Sequence, residues 1–520
     1  MSIYHIDNQE LGRGHTRRHD SGLPDSVALV GDYLPRRCGI ATFTADLLTA
    51  LTDNGSVTEC YAVAVNDRPE GYDYPPEVRF EVDQEDSEQY RLAAEFLNMN
   101  RVGAVIVQHE YGIFGGRHGD YLLGMLEDLR MPIITTLHTV LREPEERQRE
   151  ILIELSERSD CLVVMSELSR SMLLETYGVP TDRIRVIPHG IPDVPFVDPN
   201  FYKDQFGVEG KRVLLTFGLL SPGKGIEYAL RALPEVVSAV PDVVYLVVGA
   251  THPHIQEQSG EEYRTSLQQL ARDLGVEAHV RFLNRFLSQT ELMELLGAAD
   301  VYVTPYLQEA QAVSGTLAYA LGAGKAVVST PYWYAQEMLA DGRGRFAPFR
   351  DSNAFAAQII DLFHNPVQMN AMRKRAYTFS REMTWSRVAE AYAGTIETLR
   401  EERVRKYYSV CLAASLGQEE FDLPALNLRH LRLLTDDTGA LQHARFAVPR
   451  KAHGYTTDDN ARALIAAVRA SYHSGNTSEY QDLASRYLGF LEYAFDPWTG
   501  RFRNFMSYTR EWLEEQGSED

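Results

Sequence analysis

Cysteine is scarce: Cys38, Cys60, Cys161 and Cys411 are the 4 in 520 residues, and none has the close spacing of a metal-ligand set. A disulfide framework is therefore excluded as the main stabilising device, and the thiols suit a reducing compartment. Long apolar runs are also missing. No stretch approaches the roughly 18 consecutive apolar residues that span a bilayer, so no integral membrane association is expected. The opening MSIYHIDNQELGRGHTRRHDSGLPD lacks the apolar segment of a secretory signal. Residues 1–25 read as a polar leader, and a cytoplasmic location follows by default. Positive charge is short as well: Lys and Arg number 51 against 73 Asp and Glu, a net charge of −22. That balance opposes general binding to nucleic acid or to an anionic membrane surface.

What is present is a repeated alternation of buried strands and amphipathic helices. VALVG (27–31), VTECYAVAV (57–65), VGAVIVQHE (102–110), PIITTLH (132–138), CLVVMS (161–166) and IRVIPHG (184–190) are nearly all apolar. Such runs belong to parallel strands covered on both faces. Helical patterns over 41–52, 87–99 and 167–177 separate them. A second set follows: RVLLTFG (212–218), VVYLVVG (243–249), VRFLN (280–284), ADVYVTP (299–305) and AVVST (326–330). The Pro- and Asp-rich stretch 191–211 links the sets. The expected fold is α/β, with Rossmann-like domains at 26–195 and 205–384 facing across a cleft. A helix over 385–408 and a mainly α-helical segment over 421–520 complete the chain.

The segment TFGLLSPGKGIEYALRAL (216–233) carries the clearest chemistry. A strand ends at Gly218, a Gly/Pro loop follows, and Gly225 opens a helix with apolar Ile226, Ala229, Leu230 and Leu233. Such a turn aims backbone N–H groups and a helix dipole at an anion, with Lys224 beside them. Its place after a sheet strand favours a diphosphate over a merely solvated turn. Gly218, Gly223 and Lys224 nearly spell a P-loop, but Gly225 stands where a Mg²⁺-binding Ser or Thr is required, which disfavours an NTPase. No G-x-G-x-x-G follows the first strand, which disfavours a nicotinamide enzyme. A second phosphate candidate is Ser314-Gly315-Thr316, opening a small-residue helix after Pro305, with Glu309 and Gln311 on the approach.

Together, VIPHGI (186–191), FGLLSPGKG (217–225), VRFLNRFLSQTELMELLGAADVYVTP (280–305) and LGAGKAVVST (321–330) resemble glycosyltransferase family 4 in content and order. These are retaining enzymes built from two facing Rossmann-like domains, and the likeness covers roughly residues 27–400. The resemblance implies a UDP- or GDP-sugar donor, a carbohydrate or other hydroxyl acceptor, and no metal or cofactor. It assigns Lys224 to the donor phosphate, Gly39 in CGIATF to the loop approaching donor and acceptor, and His138 in TTLHT to the reacting sugar carbon. The helix after Trp385 is the one that crosses back to the first domain.

The pattern also departs from the family. Leu219 stands where an arginine commonly follows the glycine matching Gly218, leaving Arg285, or Arg36 and Arg37, as replacements. Gln311 and Tyr319 occupy the places of two glutamates that would contact sugar and ribose. Glu309 is the candidate substitute for the first, and Tyr319 offers a hydroxyl in place of the second. Expected catalytic groups are thus His138, Lys224 and Glu309. Donor contacts are expected from Gly39, Gly218, Lys224, Arg285, Gln311, Ser314, Gly315, Thr316 and Tyr319. His109 and Glu110, closing a strand at the cleft, are acceptor-side candidates, with a histidine capped by backbone as the alternative.

Other groups invite weaker readings. His252 and His254 lack the further ligands that a zinc site needs. Cys38 reads as a small buried hydrophobe rather than a nucleophile. Residues 421–520 resemble the start of a helical toroid of carbohydrate enzymes, expected to be incomplete. There Asp458 or Asp459 is a candidate general acid, against helix capping by TTDDNARAL, which the spacing favours. Three readings remain: transfer from a nucleotide sugar, a binding or regulatory module without turnover, and carbohydrate cleavage or epimerisation by the tail.

Overall fold

The structure, a computed structural model, describes residues 26–416, 428–445, 448–473, 477–514 and 517. The expected polar leader and residues 421–427 lie outside that range. The described chain divides into two compact units, with the boundary at Ser409 and Val410.

The larger unit holds two parallel sheets, as the apolar runs require. The first comprises β1 (Ser26–Gly31), β2 (Glu59–Asn66), β3 (Val78–Asp83), β4 (Ala104–His109), β5 (Ile133–Leu137), β6 (Cys161–Val164) and β7 (Ile184–Val186). Their order is β3-β2-β1-β4-β5-β6-β7. The second comprises β8 (Arg212–Phe217), β9 (Val243–Val248), β10 (Val280–Leu283), β11 (Val301–Thr304), β12 (Ala326–Ser329) and β13 (Arg345–Phe346), in the order β10-β9-β8-β11-β12-β13. The helices of the first half are α1 (Gly39–Asp53), α2 (Ser87–Met99), α3 (Tyr121–Asp128), α4 (Glu146–Arg158) and α5 (Glu167–Tyr177). In the second half they are α6 (Ile226–Ala239), α7 (Pro253–Ser259), α8 (Glu262–Asp273), α9 (Gln289–Ala298), α10 (Gly315–Gly322), α11 (Trp333–Met338), α12 (Ser352–His364) and α13 (Pro366–Phe379).

Both faces of each sheet are covered. Val27 and Leu29 of β1 pack into one layer while Ala28 and Val30 pack into the opposite one. In β8, Val213, Leu215 and Phe217 face one layer and Leu214 the other. This two-sided burial is why the strand sequences do not alternate. The α/β fold with two Rossmann-like domains is borne out. Two strands carried no legible signal. The edge strand β3, VRFEVD, is half-exposed and charged, and β13 has only 2 residues.

The chain crosses between the halves twice. At the crossing, Ile191 N–H donates to Met383 O at 2.9 Å and Trp385 N–H donates to Ile191 O at 2.9 Å. A Cβ on Gly190 would lie 2.1 Å from the Trp385 ring, so only glycine lets the two strands run together there. From this point α14 (Trp385–Leu416) returns to the first half. Trp385, Val388, Ala389, Tyr392, Ile396 and Leu399 enter the core of β1 and α1, at helical spacing.

The smaller unit contains helices Thr457–His473 and Thr477–Ala494 and three short two-stranded pairs. Ala463, Ala467, Leu483 and Tyr487 form its centre. The strand pairs are additional to the helix-and-loop character expected from sequence. At the first helix, the Thr456 hydroxyl donates to Asp459 Oδ2 at 2.6 Å, and the Asp459 N–H donates back to Thr456 Oγ1 at 3.2 Å. Asp458 pairs with Arg462 at 2.9 Å. Asp436 accepts from the Tyr455 hydroxyl at 2.6 Å, and Asp437 pairs with Arg510 at 2.8 Å. Both acidic pairs therefore already have local partners, and Asp459 has the reciprocal geometry of a helix cap.

Candidate functional site

In both sheets the chain order reverses, between β1 and β4 and between β8 and β11. Open parallel sheets leave a crevice at the carboxyl ends of such strands. The loop after β8 and the entry to α10 meet there. Gly218 follows β8, and a Cβ on it would lie 3.2 Å from Thr316 Cγ2. The Lys224 ammonium sits 3.9 Å from the centre of the Tyr306 ring. The hydroxyl of Tyr306, two residues past β11, lies 2.9 Å from Thr316 Oγ1. Lys224, Tyr306 and Thr316 thus form one continuous patch.

The backbone contributes differently at its two sides. At α10, Ser314 caps the helix through its hydroxyl, and the first helical hydrogen bond there is Ala318 N–H to Ser314 O. The Gly315 and Thr316 amides precede that bond and keep the anion-attracting character of a helix start. Before α6 three of the amides are already used. Lys224 N–H donates to Ser221 O, Gly225 N–H to Pro222 O, and Ile226 N–H to the Tyr263 hydroxyl at 3.3 Å. The expectation of free amides therefore fails for Lys224, Gly225 and Ile226, where the positive charge comes from the Lys224 side chain. Gly225 has φ +60°, and a Cβ there would fall 2.2 Å from Pro305 O. Gly225→Ala is expected to raise the donor KM and lower the unfolding temperature. The conformation alone costs about 1–2 kcal/mol for a residue with a Cβ. Donor titration and thermal unfolding check this.

On the first half, His138 follows β5, and its Nε2–H donates to Gln108 Oε1 at 2.9 Å. Phe43 of α1 lies edge-on to His138 at 5.0 Å and to His189 at 5.1 Å. His189 Nδ1–H donates to Gly190 O at 2.7 Å, and its Nε2 would lie 2.7 Å from a Cβ on Gly315. His189 therefore connects His138 to the start of α10. The sequence contained it within VIPHGI, without a sign that it would meet Gly315. Burial pushes His138 down to about 3 and His189 down to about 4, so both rings are neutral at physiological pH.

The remaining candidates fall in different places. Gly39 is exposed at the start of α1, where a Cβ would meet nothing within 4 Å. Glu309 is exposed, and its carbonyl accepts from Trp333 N–H at 3.0 Å. The Gln311 side chain donates to Val313 O at 3.0 Å. Arg285 pairs with Glu291 at 2.8 Å on the surface, and Arg36 pairs with Asp32 at 2.6 Å and Asp67 at 3.3 Å. Arg37 is exposed. Glu110 accepts from the Thr139 hydroxyl at 2.5 Å and from Tyr111 N–H at 3.0 Å, and burial raises its carboxyl above the usual range. His109 does not reach the cleft. Its ring is fully buried beside Phe114, and neither nitrogen has a partner. The Cys38 thiol caps α1 and donates to Asp32 at 3.1 Å; burial pushes it up to about 12. The His254 side chain lies outside the described residues.

Tyr319 has an occupant already. Its hydroxyl donates to Asp46 Oδ2 at 2.9 Å, and Gln289 donates to the same oxygen at 3.2 Å. Burial raises Asp46 to about 6, opposed by those two donors. Asp46 was not legible as a site residue: it is one polar position on an amphipathic helix.

The comparisons agree with this geometry. The model for Glycosyl transferases group 1 matches residues 199–379, and that for Glycosyltransferase Family 4 matches residues 38–193. Phosphatidyl-myo-inositol mannosyltransferase of Mycolicibacterium smegmatis is 28% identical over 272 residues, covering 52% of this chain and 65% of that protein. A GDP-mannose-dependent alpha-(1-6)-phosphatidylinositol monomannoside mannosyltransferase of the same organism is 27% identical over 234 residues, covering 43% and 58%. The matches thus span less than two thirds of these two relatives. The crystal structure of Anabaena HepE in complex with UDP and glucose shares the fold, with TM-score 0.57 at 16% identity, covering 72% of this chain and 100% of that one. One model matches each half, the two together covering most of residues 38–379, and the chain belongs to the group 1 and family 4 glycosyltransferases.

Proposed function

We propose that the protein is a retaining hexosyltransferase that moves a sugar from a UDP- or GDP-sugar to a hydroxyl acceptor without a metal. The observation that carries this reading is the patch of Lys224, Tyr306 and Thr316 at the strand ends, continuous with the start of α10. When the bond from sugar to diphosphate breaks, negative charge develops on the leaving group. Lys224 and the Gly315 and Thr316 amides stand ready to stabilise it, without reorganising during the reaction. His138, neutral and held by Gln108, is the group offered to the reacting sugar from the first half. Gly39 and the acceptor-side Glu110 lie on that half too. Glu309 is the candidate contact to the transferred sugar, and Gln311 its neighbour.

The relatives' names point to GDP-mannose and the HepE complex to UDP, so both nucleotides belong in the test. Purified protein is incubated with UDP- and GDP-sugars, with and without oligosaccharide acceptors, in EDTA. Transfer or slow donor hydrolysis is expected, together with a rise in unfolding temperature for the matching nucleoside diphosphate. Binding without turnover would favour the regulatory reading, which Gln311 and Tyr319 motivate. The absence of both binding and turnover would overturn the assignment. Activity on free oligosaccharides that disappears on deleting residues 421–520 would support cleavage by the tail.

A further inference from the structure

The two halves of the larger unit touch through carboxylates that reach in opposite directions. Asp46, on α1 of the first half, accepts from the Tyr319 hydroxyl at 2.9 Å and the Gln289 amide at 3.2 Å. Tyr319 lies on α10 and Gln289 opens α9, so both donors belong to the second half. Glu337, on α11 of the second half, reaches the other way. Its Oε1 accepts from Glu167 N–H at 2.9 Å and its Oε2 from Leu168 N–H at 3.2 Å. Those amides are the first two of α5, in the first half. Beside this contact, the Arg142 guanidinium of the first half lies 4.9 Å from the centre of the Trp333 ring of the second.

The seam has apolar packing of its own, Trp333 of the second half lying against the cluster of Leu137, Val140 and Leu152 in the first, and the two carboxylates add to it. Each places a charged acceptor against donors on the facing half, where water would otherwise serve both. A carboxylate at a helix start is stabilised by the dipole and by orphan amides. A carboxylate receiving two side-chain donors gains charge-assisted hydrogen bonds. Domains within a chain move relative to one another unless a large apolar interface holds them. Here the chain passes between the halves at the paired crossings of Ile191 and Trp385.

We propose that Asp46 and Glu337 form a reciprocal latch that holds the two halves closed before any donor binds. Release of both carboxylates is the step that opens the crevice, and Tyr319 is freed only in the opened form. The role assigned to the crevice rests on the proposed donor reading; the latch itself does not. It predicts a closed resting state whose opening is set by four side chains, Asp46, Tyr319, Gln289 and Glu337.

Small-angle scattering and amide exchange on the full chain without nucleotide test it. Tyr319→Phe removes one hydroxyl, Glu337→Ala removes the helix-capping carboxylate, and the double variant removes both contacts. Each single variant is expected to shift the population toward the open form by about tenfold, the scale of one charge-assisted contact. Glu337→Ala should also speed exchange at Glu167 and Leu168 by about the same factor. The double variant should show a larger radius of gyration, and Glu337→Gln should restore part of the closure. Should Tyr319→Phe fail to fold, Asp46→Asn reports on the same contact. Scattering of the double variant that superimposes on the wild type would overturn the latch, as would unchanged exchange at Glu167 and Leu168 in Glu337→Ala. Because no nucleotide is present, either result stands independently of the donor assignment.

Discussion

Lys224→Ala is expected to lower turnover by at least about a hundredfold while leaving thermal unfolding nearly unchanged. Removing one preorganised contact to a developing charge costs about 2–4 kcal/mol, or roughly a hundred- to a thousandfold. The fold should tolerate the change. The side chain is only partly buried, makes no ion pair among the described residues, and rests on the Tyr306 ring. The loop keeps its shape through the turn from Ser221 to Gly225, whose hydrogen bonds are all backbone. Lys224→Arg keeps the charge but changes its shape and reach, so partial activity is expected. Single-turnover rates at saturating donor separate the effect on chemistry from that on binding. Near-normal turnover of the alanine variant would remove Lys224 from the mechanism.

The second large effect concerns stability. Asp300 stands at the start of β11, where one oxygen accepts from Val213 N–H at 2.7 Å and Lys203 Nζ at 2.9 Å. Lys203 also donates to Lys211 O at 2.8 Å. The pair is nearly inaccessible, with side chains 4% and 7% exposed. Asp300→Ala leaves a buried ammonium without its counter-charge and the Val213 amide without its acceptor. Breaking one side of a buried pair costs about 3–5 kcal/mol, so the second half should unfold first on heating or in urea. Lys203→Met/Asp300→Leu, which removes both charges, should recover much of the loss. An Asp300→Ala protein as stable as the wild type would show that the buried pair contributes little.

The paired sheets were readable because of two-sided burial. A parallel strand covered on both faces needs apolar side chains in succession, and β1, β4, β8 and β9 show this directly. The candidate loop at Lys224 was readable for a similarly local reason: strand, glycine turn, lysine and helix follow one another in the chain. Ser314, Gly315 and Thr316 were placed at the start of α10 by the same rule. Where a signal depended on a local partner the sequence also served, as in the reciprocal cap of Thr456 and Asp459. The edge strands β3 and β13 were missed because exposure and shortness remove the pattern.

Contacts between distant segments were decided only by the tertiary structure. His109 and His138 both follow apolar strand residues, yet one is sealed against Phe114 and the other donates to Gln108 beside the cleft. Arg285, offered by sequence as a charge for the crevice, is drawn instead to Glu291 in its own capping turn. The amides of Lys224, Gly225 and Ile226 were consumed by the turn itself and by Tyr263, beside the Lys224 side chain as the loop's cation. Tyr319 could be placed on its helix from sequence, but its acceptor, Asp46, comes from 273 residues away. The sequence by itself determined the two sheets, the order of their strands along the chain, and the loop that carries Lys224. Burial periodicity and turn chemistry act over a few residues. Which polar groups are satisfied by the protein itself, and which face the crevice, depended on segments that only folding brings together.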